Sequence, residues 1–152
     1  MSKFKIYAKS ILIPVVLGGI VGFIISGSMD YDTLAKPFLA PPGILFPIIW
    51  TILYILMGVS YGILESNSLT DFRTNVIYYG QLIVNLLWPI IFFVLKWRLF
   101  SFLWIVLLVI LVVIMIIDFY SKNKLSGLLQ IPYLLWSSFA TYLTLFVYLL
   151  NR

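Results

Sequence analysis

Three sets of residues in this chain have types and spacings suited to chemistry, and none of them holds a conventional catalytic group. Trp50, Tyr54, Met57 and Tyr61 recur at helical spacing and give one helix a large aromatic face. Gln81, Asn85 and Trp88 follow one another a turn at a time on a second apolar segment and share a face. Trp136, Ala140 and Thr144 run along one side of a third, where the small residues open space. Amides are costly in hydrocarbon unless hydrogen-bonded, so Gln81 and Asn85 must face another helix or a cavity rather than lipid. Interhelical bonding and ligand contact both meet that demand. The chain contains neither Cys nor His, which removes thiolate nucleophiles, disulfides, the usual zinc sites and haem ligation through His or Cys.

The elements that must carry these residues follow from composition. The 152 residues are 63% hydrophobic and 10% charged, against about 25% charged in soluble domains. The class is an all-α integral membrane protein. Five apolar stretches of about twenty residues each use nearly all of the chain, so a single domain over 1–152 is predicted, a five-transmembrane-helix bundle with helices at about 6–26, 44–64, 76–95, 99–118 and 128–150. The net charge of +5 comes from basic residues in loops and near the two ends, not from an aromatic-interleaved patch. No nucleic-acid partner is expected; basic flanks facing an anionic membrane surface account for the charge. Lys3, Lys5, Lys9, Arg73, Lys122 and Lys124 fall on one side of the spans and Lys36, Lys96, Arg98 and Arg152 on the other. That imbalance puts the amino terminus in the cytoplasm.

Lys3, Lys5 and Lys9 precede an apolar run that also suits a secretory signal. Ile6 and Tyr7 extend it to spanning length, and it reads as a retained first helix whose Gly18, Gly22 and Ser26 form a small-residue stripe suited to close helix packing. Residues 27–43 form the longest connection. Pro37, Pro41 and Pro42 fix φ, remove backbone donors and keep the segment from becoming helix before Gly43, so the loop reads as a shaped lid or a rigid-ended crossover. Asp71 or Thr70 is the expected cap of the third helix. The fourth helix has no polar face, which predicts a lipid-facing or oligomer-contact helix with Trp97 and Trp104 as belt and packing residues. Ser137, Ser138 and Thr141 are expected to bond back to their own helix carbonyls.

Three motifs, in order, resemble those of the TspO/MBR family of translocator and tryptophan-rich sensory proteins, also called peripheral benzodiazepine receptors. They are Lys36-Pro-Phe-Leu-Ala-Pro-Pro-Gly with Phe46-Pro-Ile-Ile-Trp-Thr-Ile-Leu-Tyr-Ile-Leu-Met-Gly58, then Gln81-Leu-Ile-Val-Asn-Leu-Leu-Trp-Pro-Ile-Ile-Phe-Phe93, then Pro132-Tyr-Leu-Leu-Trp-Ser-Ser-Phe-Ala-Thr-Tyr-Leu143. The resemblance covers nearly the whole chain. It implies five helices in a bundle, a homodimer in the cell membrane, and a cavity roofed by the first loop that takes protoporphyrin IX, haem and synthetic benzodiazepine-receptor ligands. It also implies light-dependent porphyrin breakdown in some bacterial members. By motif, it assigns Trp50 and Trp136 to the cavity and to photochemistry, Asn85 and Ala140 to the lining, and Pro41 and Pro42 to the roof. Thr144 stands where the family often has Asn. A sterol pattern is formally met by Leu145, Tyr148 and Arg152, but it recurs by chance and sterol binding is not expected.

A tetrapyrrole is a broad apolar disc with two carboxylates, and a site for it needs aromatic faces, a cation or donors for the acids, and a roof. Phe46, Trp50, Tyr54, Trp88, Tyr133 and Trp136 are the candidate faces, Lys36 the candidate partner of the acids and Tyr31 a candidate donor. Photochemistry asks no acid, base or resident cofactor of the protein, because the bound porphyrin absorbs the light. An indole beside it can donate an electron or intercept an intermediate, which singles out Trp50 and Trp136. The competing function is transport or carriage of porphyrins or other amphiphiles. Active transport is disfavoured by the short chain, the lack of a nucleotide motif and the lack of a buried ionisable relay. A third class is a membrane partner whose loop binds another protein.

Overall fold

The computed structural model describes residues 2–152. Five helical segments are long and apolar enough to cross a membrane. Helix α1 (Lys3–Ile25) starts where Ser2 Oγ accepts the Lys5 amide at 3.3 Å, and it runs through Pro14. Two 3₁₀ turns, Ser26–Ser28 and Tyr31–Thr33, begin the roof loop. Helix α2 (Leu45–Ser66) follows. Asp71 caps α3 (Phe72–Pro89), its Oδ1 accepting the Thr74 amide at 2.8 Å. Because Pro89 brings no amide N–H to the ladder, a bonding shift near it is tolerable. The next residues, Ile90–Val94, form a π-helical turn, closed by the Leu95 amide on the Ile90 carbonyl at 3.0 Å.

Helix α4 (Arg98–Lys122) is a turn longer than expected at its carboxyl end. The last span is broken: a short α5 (Lys124–Leu128), capped by Asn123, precedes α6 (Ile131–Asn151), with Pro132 in its first turn. Pro fits there because first-turn amides have no intrahelical partner. Gly127 is required at the α4–α5 corner, since a Cβ there would come within 2.5 Å of Tyr120 Cβ.

The helices close into a ring. Helix α1 packs along α2 and touches α3, α3 packs on α4, α4 on α6, and α5 reaches back to α2. Helices α2 and α6 meet chiefly through rings: Phe46 against Trp136 (centroids 5.7 Å) and Trp50 against Tyr133 (6.3 Å).

Two expectations are corrected. Helix α4 is not only a lipid-facing or oligomer-contact helix: Ser101, Ile105, Leu108, Val112, Met115 and Phe119 are all fully buried, in alternating steps of four and three, the 3.5-residue period of a helix seam. Its opposite side exposes Leu103, Leu107, Ile110, Val113, Ile114 and Ile117. Both faces are aliphatic because lipid replaces water outside, so polarity contrast could not reveal the seam. The close α1–α2 crossing is made by Gly58 and Gly62 of α2 together with Gly18 of α1, while Gly22 takes no part in it. A Cβ on Gly58 would lie 2.5 Å from Ile11 Cα and Ser10 O, and one on Gly62 would lie 2.7 Å from the Tyr7 ring. A Cβ on Gly18 would run into the Tyr54 ring of α2, so that glycine packs closely as expected, whereas one on Gly22 would meet nothing within 4 Å. Of the three hydroxyls expected to bond back, Ser137 and Thr141 do so, to the carbonyls of Tyr133 and Ser137 at 2.8 Å, and among the described residues Ser138 does not; Thr144 also bonds back, to Ala140 at 2.7 Å.

Candidate functional site

A cavity of about 490 Å³ lies between α1, α2 and α3, beneath the start of the roof loop. Helix α2 contributes Phe46, Trp50 and Tyr54; α3 contributes Asn85 and Trp88, with Phe93 from the π turn; α1 contributes Val15, Gly18, Gly22 and Ile25. Met29 closes the roof end. The wall is almost wholly apolar and aromatic, and no cationic side chain is part of it.

The polar atoms behind this wall form one chain across three helices. Tyr54 Oη donates to Asn85 Oδ1 at 2.7 Å, and Asn85 Nδ2 donates to Tyr133 Oη at 2.7 Å. Tyr133 Oη donates in turn to Gln81 Oε1 at 2.7 Å, and Gln81 Nε2 donates to the Tyr78 carbonyl at 2.9 Å. Gln81 is fully buried and bonds between helices, whereas Asn85 bonds between helices and also lines the cavity.

The remaining candidates lie around this core. Tyr31, Phe46, Trp88 and Ala140 border a gap of only about 10 Å³ beside the cavity. Tyr31 fills that region, edge-on to Phe46 at 4.8 Å, and donates to the Pro41 carbonyl at 2.7 Å. Burial raises the Tyr31 hydroxyl above its ordinary pKa, and the nearby Asp32 charge adds to this. Pro42 is exposed. Trp136 points to the other side of α2, into an open groove with Ile49, Leu53 and Pro132, and reaches the cavity only through Phe46. Lys36 does not face the cavity. Its Nζ donates to the carbonyls of Tyr31 and Leu34 at 3.0 Å and of Asp32 at 3.4 Å, and it sits 4.9 Å from the Tyr31 ring centroid.

The roof is fastened at its edges. Asn151 exchanges two hydrogen bonds with the Ala35 backbone at 2.8 and 3.0 Å, and Tyr142 Oη donates to the Phe38 carbonyl at 2.6 Å. Asp30 receives Arg98 Nη2 at 2.8 Å and Lys96 Nζ at 3.1 Å. Burial alone would raise the Asp30 pKa, but the hydrogen bonds and charges of Arg98 and Lys96 outweigh it and hold the carboxyl below its usual value.

The sequence matches the TspO/MBR family model over residues 10–149. The chain belongs to the TspO/MBR family. It is 38% identical to the tryptophan-rich protein TspO of Archaeoglobus fulgidus over 154 aligned positions, 99% of each chain. It is 39% identical to the tryptophan-rich protein TspO of Chlorobaculum tepidum, over 82% of this chain and 80% of that one. Protein CrtK of Rhodobacter capsulatus is 38% identical over 88% of this chain and 85% of its own. The region matched to TspO/MBR includes every residue of the cavity wall and the whole roof loop.

Sequence reasoning missed the contribution of α1 to this TspO/MBR cavity. Gly18 and Gly22 were legible as small residues but suggested packing alone; Gly18 does pack, against Tyr54, and also lines the cavity, whereas Gly22 is left open to it. Met29 and Phe93 carried no signal beyond being apolar, and the pairing of Asp30 with Arg98 joins residues 68 positions apart.

Proposed function

We propose that this membrane protein binds a flat, mainly apolar tetrapyrrole, such as protoporphyrin IX or haem, in the cavity between α1, α2 and α3. The observation that carries this reading is the wall itself: about 490 Å³, within the roughly 300–1,000 Å³ of small-molecule sites, walled by the rings of Phe46, Trp50, Tyr54, Trp88 and Phe93 around one amide, Asn85. Rings of that kind stack on an extended π face. The chain has no His or Cys to ligate haem iron, so the rings of the wall are the groups that would hold its faces.

Light-dependent porphyrin breakdown fits the same cavity, with the porphyrin as chromophore, molecular oxygen as oxidant and Trp50, together with Trp88, as the indoles beside it. Trp136 stands one ring further away, behind Phe46. The test is a titration of protoporphyrin IX in the dark by tryptophan-fluorescence quenching, followed by illumination with absorbance monitored. Saturable quenching supports binding. Porphyrin loss slowed by Trp50→Phe, and less so by Trp136→Phe, with dark binding intact, supports an electron-donor role. Equal loss in all three proteins makes Trp50 a stacking platform, and absence of saturable quenching rejects the tetrapyrrole.

Carriage of an amphiphile is the second reading. It is favoured by the exposed Gly19 and Gly22, which leave the α1 wall of the cavity low.

A further inference from the structure

A porphyrin brings two carboxylates, and the apolar wall offers them no cation. Lys36, the cation nearest in sequence to the roof prolines, has no spare donor: an ammonium has three N–H groups, and three backbone carbonyls lie within 3.4 Å of its Nζ. The opposite situation holds where the roof loop meets the start of α4. There one carboxylate, Asp30, serves two cations, Lys96 and Arg98. Both short bonds from Arg98 leave through Nη2, and its Nε is buried without a partner. The side chain is only 14% exposed, and its guanidinium lies 4.9 Å from the centroid of the Phe92 ring. The cluster is tied to the cavity through its neighbours: Asp30 directly follows the wall residue Met29, and the Phe92 ring under the guanidinium borders the small gap beside the cavity. Lys96 is held there at φ 58°, a left-handed conformation unusual for a residue with a side chain.

We propose that Arg98, assisted by Lys96, receives a carboxylate of the ligand, taking it in exchange for or alongside Asp30. This assignment rests on the tetrapyrrole reading above and gives that site its specificity: an apolar disc carrying an acid edge. A guanidinium fork pairs with a carboxylate through parallel N–H bonds, and the low-dielectric position over Phe92 strengthens the pairing. The excess of one positive charge in the cluster makes a second carboxylate welcome. Asp30 is then a competitor for the fork as well as a fastening of the roof.

The test compares protoporphyrin IX with its dimethyl ester, titrated in the dark into the full-length protein in zwitterionic nanodiscs. Wild type is expected to bind the diacid more tightly than the ester. Arg98→Gln is expected to weaken the diacid about tenfold, the size of one lost charged hydrogen bond, and to leave the ester unchanged. Lys96→Gln should weaken the diacid by less, Asp30→Asn should tighten it, and Lys36→Gln should alter neither ligand. Should Arg98→Gln fail to fold, Lys96→Gln and Asp30→Asn still shift the diacid-to-ester ratio in opposite directions. An unchanged ratio across these variants, with the ester still bound, overturns the role of Arg98 alone. Binding of neither compound to wild type overturns the tetrapyrrole reading and this assignment with it.

Discussion

Replacing Asn85 with Leu removes two interhelical bonds, each 2.7 Å long, to the hydroxyls of Tyr54 and Tyr133. Leu keeps the heavy-atom count and branching of Asn but puts two bulkier methyl groups where the amide oxygen and nitrogen were, on a side chain that borders the open cavity, so the change is chiefly one of polarity. Interhelical hydrogen bonds in membranes average about 0.6 kcal/mol and reach about 1.7, which sets the expected loss at roughly 1–2 kcal/mol. The two hydroxyls fare differently: Tyr133 keeps its bond to Gln81, whereas Tyr54, whose bond to Asn85 is its only one, is orphaned. Leaving such a group unmade costs more than removing both partners. Tyr54→Phe alone is therefore expected to cost about 1 kcal/mol, and the double variant no more than Asn85→Leu alone, a coupling of about 1 kcal/mol. The assay is thermal unfolding in detergent followed by circular dichroism, where ~1 kcal/mol moves the midpoint by about 2–4 °C for a chain of this size. Strictly additive losses would refute the network as a connected unit.

Two further changes test the frame. Gly58→Leu drives a side chain into the backbone of Ile11 and Ser10 and is expected to destabilise by about 1–3 kcal/mol or more, as overpacking does, whereas Gly19→Leu, with nothing within 4 Å of its Cβ, should leave the unfolding midpoint unchanged. The hydrogen bond from Lys122, with the Thr74 amide, holds the Asp71 pKa down to about 2, below the unfolded value of about 3.9. A depressed carboxyl contributes stability that is present above the unfolded pKa and lost as pH falls through the folded one. The unfolding midpoint should thus fall between about pH 5 and pH 2, and Asp71→Asn, which retains a capping side chain, should flatten that slope.

Much of the fold is legible because the bilayer imposes it. Five apolar stretches of spanning length, punctuated by Ser26-Gly27-Ser28, Glu65-Ser66-Asn67 and Lys96-Trp97-Arg98, give the helices to within a few residues at most ends. The face shared by Gln81, Asn85 and Trp88 was legible from spacing alone, and these three side chains are all buried. What could not be read depended on pairings distant in sequence. The buried seam of α4 has the same aliphatic residues as its lipid side, so only the neighbours α3 and α6 distinguish them. The glycine stripe of α1 has the pattern of a packing face, yet only Gly18 packs closely on α2, Gly22 stays open, and the rest of the crossing is taken by Gly58 and Gly62. Lys36 has the right charge and the right loop, but that loop curls its own carbonyls around the ammonium. The break between α5 and α6 was foreshadowed by Pro132 and hidden by the apolar run on either side of it.

The measurement that bears most directly on the cavity is a dark protoporphyrin IX titration of wild type against Gly22→Phe, which introduces a ring at an open position of the α1 wall where a Cβ meets nothing within 4 Å. Saturable binding by wild type, weakened at least about tenfold by Gly22→Phe with the thermal midpoint retained, is the expected result, since a ring there competes for the space of the ligand. Equal affinity in the two proteins would contradict a site between α1, α2 and α3.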